Sequence, residues 1–279
     1  MKPMVWHSSL ASLAPRRGWQ QFGQQLETLG TELARRRALA FAPRPRGVHG
    51  PAWPRLLGEL GTPIEHWQAS RQSDLHQSDL QPAAPERPAG SRAVMLLPGF
   101  GTHPVRMKPL AQALEAAGHR VSDWGLGFNF GPSEDRFARL AERVEVMARR
   151  EGEPLVLVGW SLGGLFARQL AKAVPEQVGL VITMGTPFSG DRRANNAWRA
   201  YQLVAGHSVD EAPMGEDLAV KPPVPTVALW SPRDGFIAPR CAAGWPGERD
   251  LAVALRCTHL GFAAHPQVAR TLVDLIAQH

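Results

Sequence analysis

Cysteine is scarce in this chain. Cys241 and Cys257 are the two cysteines among 279 residues, and neither lies in a Cys-x-x-Cys or His-x-His pattern. Because zinc sites are built from such closely spaced ligands, we do not expect the chain to hold a metal.

Long apolar runs are also missing. No stretch of about 18 uncharged apolar residues occurs, so a membrane-spanning helix is not expected. Residues 1–17 lack the apolar stretch of about 7–15 residues that a signal peptide needs. A cytoplasmic location is therefore the default expectation, while a periplasmic or membrane-associated location stays open.

The net charge of +6 is spread unevenly along the chain. Residues 1–92 hold 12 Lys and Arg against 7 Asp and Glu, whereas the remainder holds 19 against 18. A basic segment can attract anionic lipid or nucleic acid. No nucleic-acid-binding motif accompanies it, so nucleic acid is not expected as a partner. A solvated, Arg-rich extension and a peripheral contact with a lipid interface are the two remaining interpretations.

Residues 1–91 are interpreted as a basic, Pro- and Arg-rich amino-terminal extension. Residues 20–41 form a predicted amphipathic helix, in which Phe22, Leu26, Leu29 and Leu33 recur at helical spacing. A second short helix is predicted within residues 55–67. Residues 70–91 are polar and rich in Pro and Ala, which is typical of a linker or an exposed loop.

From residue 92 onward, short apolar runs alternate with amphipathic stretches. Strands are predicted at 93–97, 119–124, 154–158, 178–184, 224–230 and 250–255. Helices are predicted at 105–117, 132–150, 162–174 and 266–277. Apolar strands separated by amphipathic helices indicate an α/β domain over residues 92–279, with a mostly parallel sheet covered on both faces. Ligand sites of such sheets lie at the carboxyl ends of the strands.

The strongest motif is the string Gly-Trp-Ser-Leu-Gly-Gly at residues 159–164. It matches G-x-S-x-G, directly follows an apolar strand and leads directly into a helix, which is the context of a nucleophile elbow. Ser161 is therefore the predicted nucleophile. The backbone N–H of Leu162 is one predicted donor of an oxyanion hole, and that of Phe100, in a Gly-flanked loop after the first strand, is the other.

A serine nucleophile needs a histidine base and a carboxylate that orients it. His259 is selected because it lies between the last strand and the last helix. Asp234 is selected because it lies four residues after a strand and precedes Gly235, which permits a sharp turn. The histidines set aside are His207, His265 and His279. The acids set aside are Asp191, Asp210, Glu211, Glu216, Asp217 and Asp250.

These residues resemble the lipase- and esterase-like branch of bacterial serine hydrolases in the α/β-hydrolase family. The resemblance covers residues 92–279 and rests on Pro-Gly-Phe at 98–100, the elbow at 159–164, Gly-Thr-Pro at 185–187, Asp234-Gly235 and His259. It implies hydrolysis of a small-molecule or lipid ester through an acyl-enzyme, without a cofactor. Phe188 departs from many relatives, which carry His at that position.

The irregular stretch 188–223 lies where this family often carries a lid. Its Trp198, Tyr201, Leu203 and Val204 could form an apolar underside over the acyl pocket, and a plain surface excursion is the alternative. Trp160 and Phe188 are further candidates for the substrate pocket.

Cys241 follows Asp234 in one loop, and Cys257 precedes His259 in another. The two loops must approach each other for the catalytic residues to meet. The two cysteines are therefore either joined by a disulfide or present as two buried thiols.

Three functions remain open from the sequence. An ester hydrolase is preferred. An acyltransferase or a thioesterase would use the same three catalytic residues with another acceptor or acyl donor, because fold and nucleophile do not determine either. A membrane-surface or partner-binding protein would act through the basic amino-terminal helix. That function would not explain why Ser161, Asp234 and His259 follow one another along the chain in the order of a catalytic triad.

Overall fold

The structure is a computed structural model that describes residues 16–62, 90–215 and 217–279. Most of the predicted linker at 70–91 and the end of the second predicted helix lie outside the described residues. The α-helices of the described residues are α1 (Arg16–Ala40), α2 (Trp53–Gly58), α3 (Lys108–Ala116), α4 (Glu134–Glu151), α5 (Leu162–Ala173), α6 (Trp198–Ala205), α7 (Pro239–Ala243) and α8 (Pro266–Ala277). The strands are β1 (Ala93–Leu97), β2 (Arg120–Asp123), β3 (Leu155–Trp160), β4 (Val178–Met184), β5 (Thr226–Trp230) and β6 (Leu251–Ala254).

The six strands form one sheet in the order β2-β1-β3-β4-β5-β6, and every neighbouring pair is parallel. All six were predicted, with boundaries that differ by at most two residues. The carboxyl ends are in register, since Trp160 pairs with Met184 and Met184 with Leu229. The loops after β3, β5 and β6, which carry the predicted catalytic residues, therefore open at the same edge of the sheet.

The core lies on both faces of this sheet. Alternate residues of β1 point to opposite sides, so Met95 and Leu97 pack with α4 and α5, whereas Val94 and Leu96 pack with α3 and α8. This two-sided burial explains why the central strands are almost entirely apolar.

Helix boundaries follow recognisable capping signals. Ser133 accepts a hydrogen bond from the Arg136 N–H at the start of α4, and Gly152 ends the helix with a φ of 71°. Such a left-handed residue after the last turn is a position that favours glycine. The ends of α4 could therefore be predicted from local sequence.

The amino-terminal helix α1 packs against α6 in the 188–223 insertion. Arg36 donates to the Val204 carbonyl at 2.7 Å, and the Gln202 side chain donates to the Leu39 carbonyl. The predicted apolar face of α1 is not used for this contact, because Leu26, Leu29 and Leu33 are each more than half exposed. None of the helices in residues 16–62, 90–215 and 217–279 combines the length and apolar character that crossing a bilayer requires.

Candidate active site

Ser161 lies in the sharp turn between β3 and α5. Its φ of 55° and ψ of −120° make it the one non-glycine residue with positive φ among the described residues. The Ser161 N–H donates to the Met184 carbonyl at 2.8 Å, so the turn is anchored to the end of β4. Strained backbone of this kind persists only where the surroundings impose it, and it is a feature of functional sites.

The elbow glycines are required by close packing. A Cβ on Gly159 would collide with the backbone of Gly163 and Gly164, and one on Gly163 would collide with the Leu97 carbonyl. A Cβ on Gly164 would collide with the side chain of Thr186. Because these side chains are absent, α5 begins directly against the carboxyl ends of β1 and β4.

Asp234 and His259 are in direct contact. The Asp234 Oδ2 lies 2.8 Å from the His259 Nδ1, and both side chains are almost fully buried. Asp234 Oδ1 accepts hydrogen bonds from the N–H groups of Phe236 and Ile237 at 2.8 and 2.7 Å, which orients the carboxylate toward the ring. The structure thus brings the predicted acid and base together.

The charge of Asp234 changes the protonation behaviour of its partner. Burial alone would lower the pKa of His259, but the charge and hydrogen bond of Asp234, together with the charge of Glu59, raise it above its usual value. A raised pKa favours the imidazolium form, which is the state that a histidine base reaches after accepting a proton.

Trp160, the residue before Ser161, contacts the histidine of this pair. The Trp160 indole donates to the His259 carbonyl at 3.1 Å, and its ring centroid lies 5.8 Å from that of His259. Within the described ranges, the Ser161 hydroxyl itself forms no hydrogen bond with His259. Catalytic hydrogen bonds of unliganded sites often shorten only when substrate binds.

The predicted oxyanion loop lies against the start of α5. The Leu162 N–H is at the first helical position, where backbone donors have no partner within the helix. In the loop, Gly101 N–H donates to the Asn129 carbonyl at 2.7 Å, and the Asn129 amide donates to the Pro98 carbonyl at 2.7 Å. Asn129 is fully buried and thus holds the loop on both sides of Phe100. Sequence reasoning missed Asn129.

A cavity of about 80 Å³ opens beside Ser161. Trp198 and Tyr201 of α6 line it, and the Phe100 ring packs on Tyr201 with centroids 5.1 Å apart. Most of the other lining residues are apolar. They include Leu162, Leu165, Pro187, Met214, Leu218 and Ile237. The site is therefore suited to an apolar substrate group next to the hydroxyl of Ser161.

Four of the pocket predictions need correction. Trp160 is buried in the core on the other face of the sheet, where it supports the histidine loop. Phe188 is buried as well and stacks under the Arg168 guanidinium, which lies 4.1 Å from the ring centroid. Leu203 and Val204 are exposed at 41% and 44%, because the opposite side of α6 faces the cavity. Sequence spacing does not reveal which side of a turn a ring occupies.

The structure contains Cys241 and Cys257 as buried thiols and not as a disulfide. Cys241 packs with Ile237 and Ala242, whereas Cys257 belongs to the large cluster on one face of the sheet. Burial raises the pKa of the Cys241 thiol to about 11, which makes it a poor nucleophile. The acid and histidine loops are instead linked by the Ser231 hydroxyl, which donates to the Cys257 carbonyl at 2.5 Å.

Two buried charged residues were also missed. Arg168 is fully buried and donates to the carbonyls of Leu218, Ala219, Val220 and Glu248, so it holds the end of the insertion. Burial lowers the pKa of Arg168 to about 10.

Glu59 is the second of these residues, and its carboxylate accepts hydrogen bonds from the loops that carry Asp234 and His259. Across the part of the chain that the structure describes, no three His, Cys, Asp or Glu side chains form a group that could hold a metal.

Comparison with known proteins supports the fold. No protein-family description matches the chain. A solved structure of the metagenome-derived lipolytic enzymes LipS and LipT aligns with a TM-score of 0.51 and 15% identity over 68% of this chain and 95% of that chain. A monoacylglycerol lipase from Paleococcus ferrophilus aligns with a TM-score of 0.51 and 18% identity over 67% and 94% of the two chains.

A third similar structure belongs to a protein named for different chemistry. The putative non-heme bromoperoxidase BpoC from Mycobacterium tuberculosis H37Rv aligns with a TM-score of 0.51 and 18% identity over 67% of this chain and 92% of that chain. Identities this low establish the fold and leave the activity open. Together with the parallel sheet, they show that the chain has the α/β-hydrolase fold, which confirms the predicted fold class.

Proposed function

We propose that this protein is a serine hydrolase that cleaves carboxylic esters through an acyl-enzyme. The observation that carries the proposal is the buried contact of 2.8 Å between Asp234 and His259, which lies at the same sheet edge as the strained turn at Ser161. A buried carboxylate directed at one ring nitrogen leaves the other nitrogen of His259 as the base.

In the proposed reaction, the Ser161 oxygen attacks the ester carbonyl carbon while its proton passes to His259 Nε2. The carbonyl oxygen becomes an oxyanion, which accepts hydrogen bonds from the N–H groups of Leu162 and Phe100. His259 then gives the proton to the departing alcohol, and the acyl group stays on Ser161. Water, deprotonated by His259, attacks the acyl-enzyme carbonyl, the bond to the Ser161 oxygen breaks, and His259 returns the proton to that oxygen as the acid is released.

The cavity supports an apolar acyl group as the recognised part of the substrate. Trp198 and Tyr201 face Ser161 from α6, so this part of the insertion is the proposed lid. The hydrogen bond from Arg36 to Val204 and the one from Gln202 to Leu39 would hold that lid against α1. We therefore expect acyl-chain length to be controlled by α6.

The proposal is tested by steady-state hydrolysis of p-nitrophenyl esters with acyl chains of 2 to 16 carbons. We expect turnover that the Ser161→Ala variant lacks, with a preferred chain length. A Ser208→Ala variant is the matched control, since Ser208 lies in the insertion and is not a proposed catalytic residue. Hydrolysis that persists unchanged in Ser161→Ala would refute the assignment of the nucleophile. Product analysis with thioesters, or with added alcohols, separates ester hydrolysis from the thioesterase and acyltransferase alternatives.

A further inference from the structure

Glu59 is a buried carboxylate in contact with two catalytic loops. It belongs to a short 3-10 helix, Glu59–Gly61, and is 4% exposed. Its Oε1 accepts hydrogen bonds from the N–H groups of Gly235 and His259, both at 2.8 Å. Its Oε2 accepts one from the Leu260 N–H at 3.0 Å. A single side chain thus binds the residue after the acid and the backbone of the base.

The three donors explain how a carboxylate is tolerated there. Burial raises the pKa of Glu59, while the hydrogen bonds from Leu260, His259 and Gly235 act in the opposite direction by stabilising its charge. Hydrogen bonds to an ionised acceptor are the stronger kind, and their loss would leave the N–H groups of Gly235, His259 and Leu260, the first two of them buried, without this acceptor.

The segment around Glu59 is held against the same loops. The Asn196 side chain donates to the carbonyls of Pro51 and Gly235 at 3.0 and 2.8 Å. The hydroxyls of Thr62 and Thr258 lie 2.9 Å apart. Contacts on both sides of residue 59 therefore fix where its carboxylate lies.

We propose that Glu59 is a positioning residue for the Asp234–His259 pair, so that residues 51–62 complete the active site. The inference rests on the proposed serine hydrolase function. The hydrogen bonds of Glu59 are all to backbone: its carboxylate accepts from the His259 N–H and does not bond to the imidazole, and it fixes the distance between the acid loop and the histidine loop. A displacement of about 1 Å in such a pair can reduce a rate about a hundredfold.

Two charged groups act on the His259 imidazole, namely Asp234 and Glu59, and both raise its pKa. Removal of the Glu59 charge should therefore lower the pKa of His259. Since the base must be neutral to accept a proton, the acid limb of the kcat/KM profile should move to lower pH. A residue that only supports folding would not move that limb.

The test compares Glu59→Gln, Glu59→Asp and Glu59→Ala in the full chain, by hydrolysis of a soluble p-nitrophenyl ester over pH 5–9. We expect kcat to fall about tenfold in the Gln variant and about a hundredfold in the Ala variant, with KM changed less than about threefold. The Gln variant should shift the acid limb to lower pH, because it removes a negative charge that favours the imidazolium form of His259. The Asp variant keeps the charge, so its acid limb should stay in place.

Glu153→Gln is the matched control. Glu153 Oε1 also accepts a backbone N–H, that of Ala93 at 3.0 Å, but it lies at the amino ends of the strands. We expect this variant to retain the wild-type kcat and pH profile. Thermal unfolding of each variant reports whether it folds. If the Ala variant does not fold, the Gln and Asp variants, which preserve part of the hydrogen bonding, carry the test.

Three results would overturn the role of Glu59, two from the hydrolysis assay and one from the labelling of Ser161. The first is a Gln variant with wild-type kcat and acid limb. The second is a loss of kcat with an unmoved acid limb and a lowered Tm, which would indicate support of folding alone. A wild-type protein that neither hydrolyses esters nor reacts at Ser161 would instead refute the proposed function. Labelling of Ser161 at the same rate in wild type and Glu59→Gln would refute the role of Glu59 alone.

Discussion

Replacement of Asp234 by Asn tests the contact on which the proposed mechanism depends. The substituted side chain keeps Oδ1, which accepts from Phe236 and Ile237, but its amide replaces the oxygen that lies 2.8 Å from His259 Nδ1. An amide N–H₂ cannot accept from the ring, so it favours the tautomer with hydrogen on Nε2. That tautomer cannot take the Ser161 proton.

The expected loss follows from this change of tautomer. We expect kcat to fall by about 10³- to 10⁴-fold, which corresponds to about 4–5.5 kcal/mol of lost transition-state stabilisation. Because the hydrogen bonds of Oδ1 remain, Tm should change little. The assay is steady-state hydrolysis of p-nitrophenyl butyrate, with thermal unfolding measured on the same preparations.

Asp250→Asn is the control for this prediction. Asp250 accepts from the Thr226 N–H and from Lys221 at the amino end of β5, far along the strand from the catalytic edge. We expect its kcat to stay within about twofold of wild type, because a surface ion pair contributes only about 0–1 kcal/mol. A D234N variant that keeps more than a third of the wild-type kcat, or a D250N variant that loses as much as D234N, would refute the reasoning.

Three further predictions concern the elbow, the pocket and α1. Gly164→Ala should lower kcat at least tenfold, because the added Cβ collides with the Thr186 side chain. Adding Thr186→Ala should restore part of the activity, which is measured by steady-state kinetics together with Tm. Trp198→Ala should shift the acyl-chain profile toward longer esters and reduce the free energy of unfolding by about 3–5 kcal/mol, measured in urea. If the exposed leucines of α1 contact lipid, Leu29→Asp combined with Leu33→Asp should weaken flotation with phosphatidylglycerol vesicles about tenfold and leave soluble-ester turnover unchanged. Equal flotation of this variant and wild type would refute lipid contact through that face.

Features that depend on neighbouring residues could be predicted from the sequence. The turn at Ser161 needs an apolar strand before it, a helix after it and glycines between them, all of which lie within about 20 residues. The placement of the candidate site at the carboxyl ends of the strands follows from the rules of parallel sheets. The positions of Asp234 and His259 in the loops after β5 and β6 followed from chain order.

Features that depend on distant partners could not be predicted. Glu59 lies 200 residues from His259, and its signal in the sequence is a single acid between apolar residues. The roles of Trp160 and Phe188 depend on which side of a turn each ring occupies. The packing of α1 on α6 uses backbone carbonyls, which leave no pattern in the amino-acid sequence.

The most direct measurement of the central claim is reaction of the 279-residue chain with a fluorophosphonate, followed by mass spectrometry of the modified peptide. We expect a single adduct on Ser161, formed rapidly in wild type and Asp250→Asn, slowly in Asp234→Asn, and not in Ser161→Ala. An adduct on another residue, or an unreactive Ser161 in a folded protein, would contradict the assignment of Ser161, Asp234 and His259 as a catalytic unit.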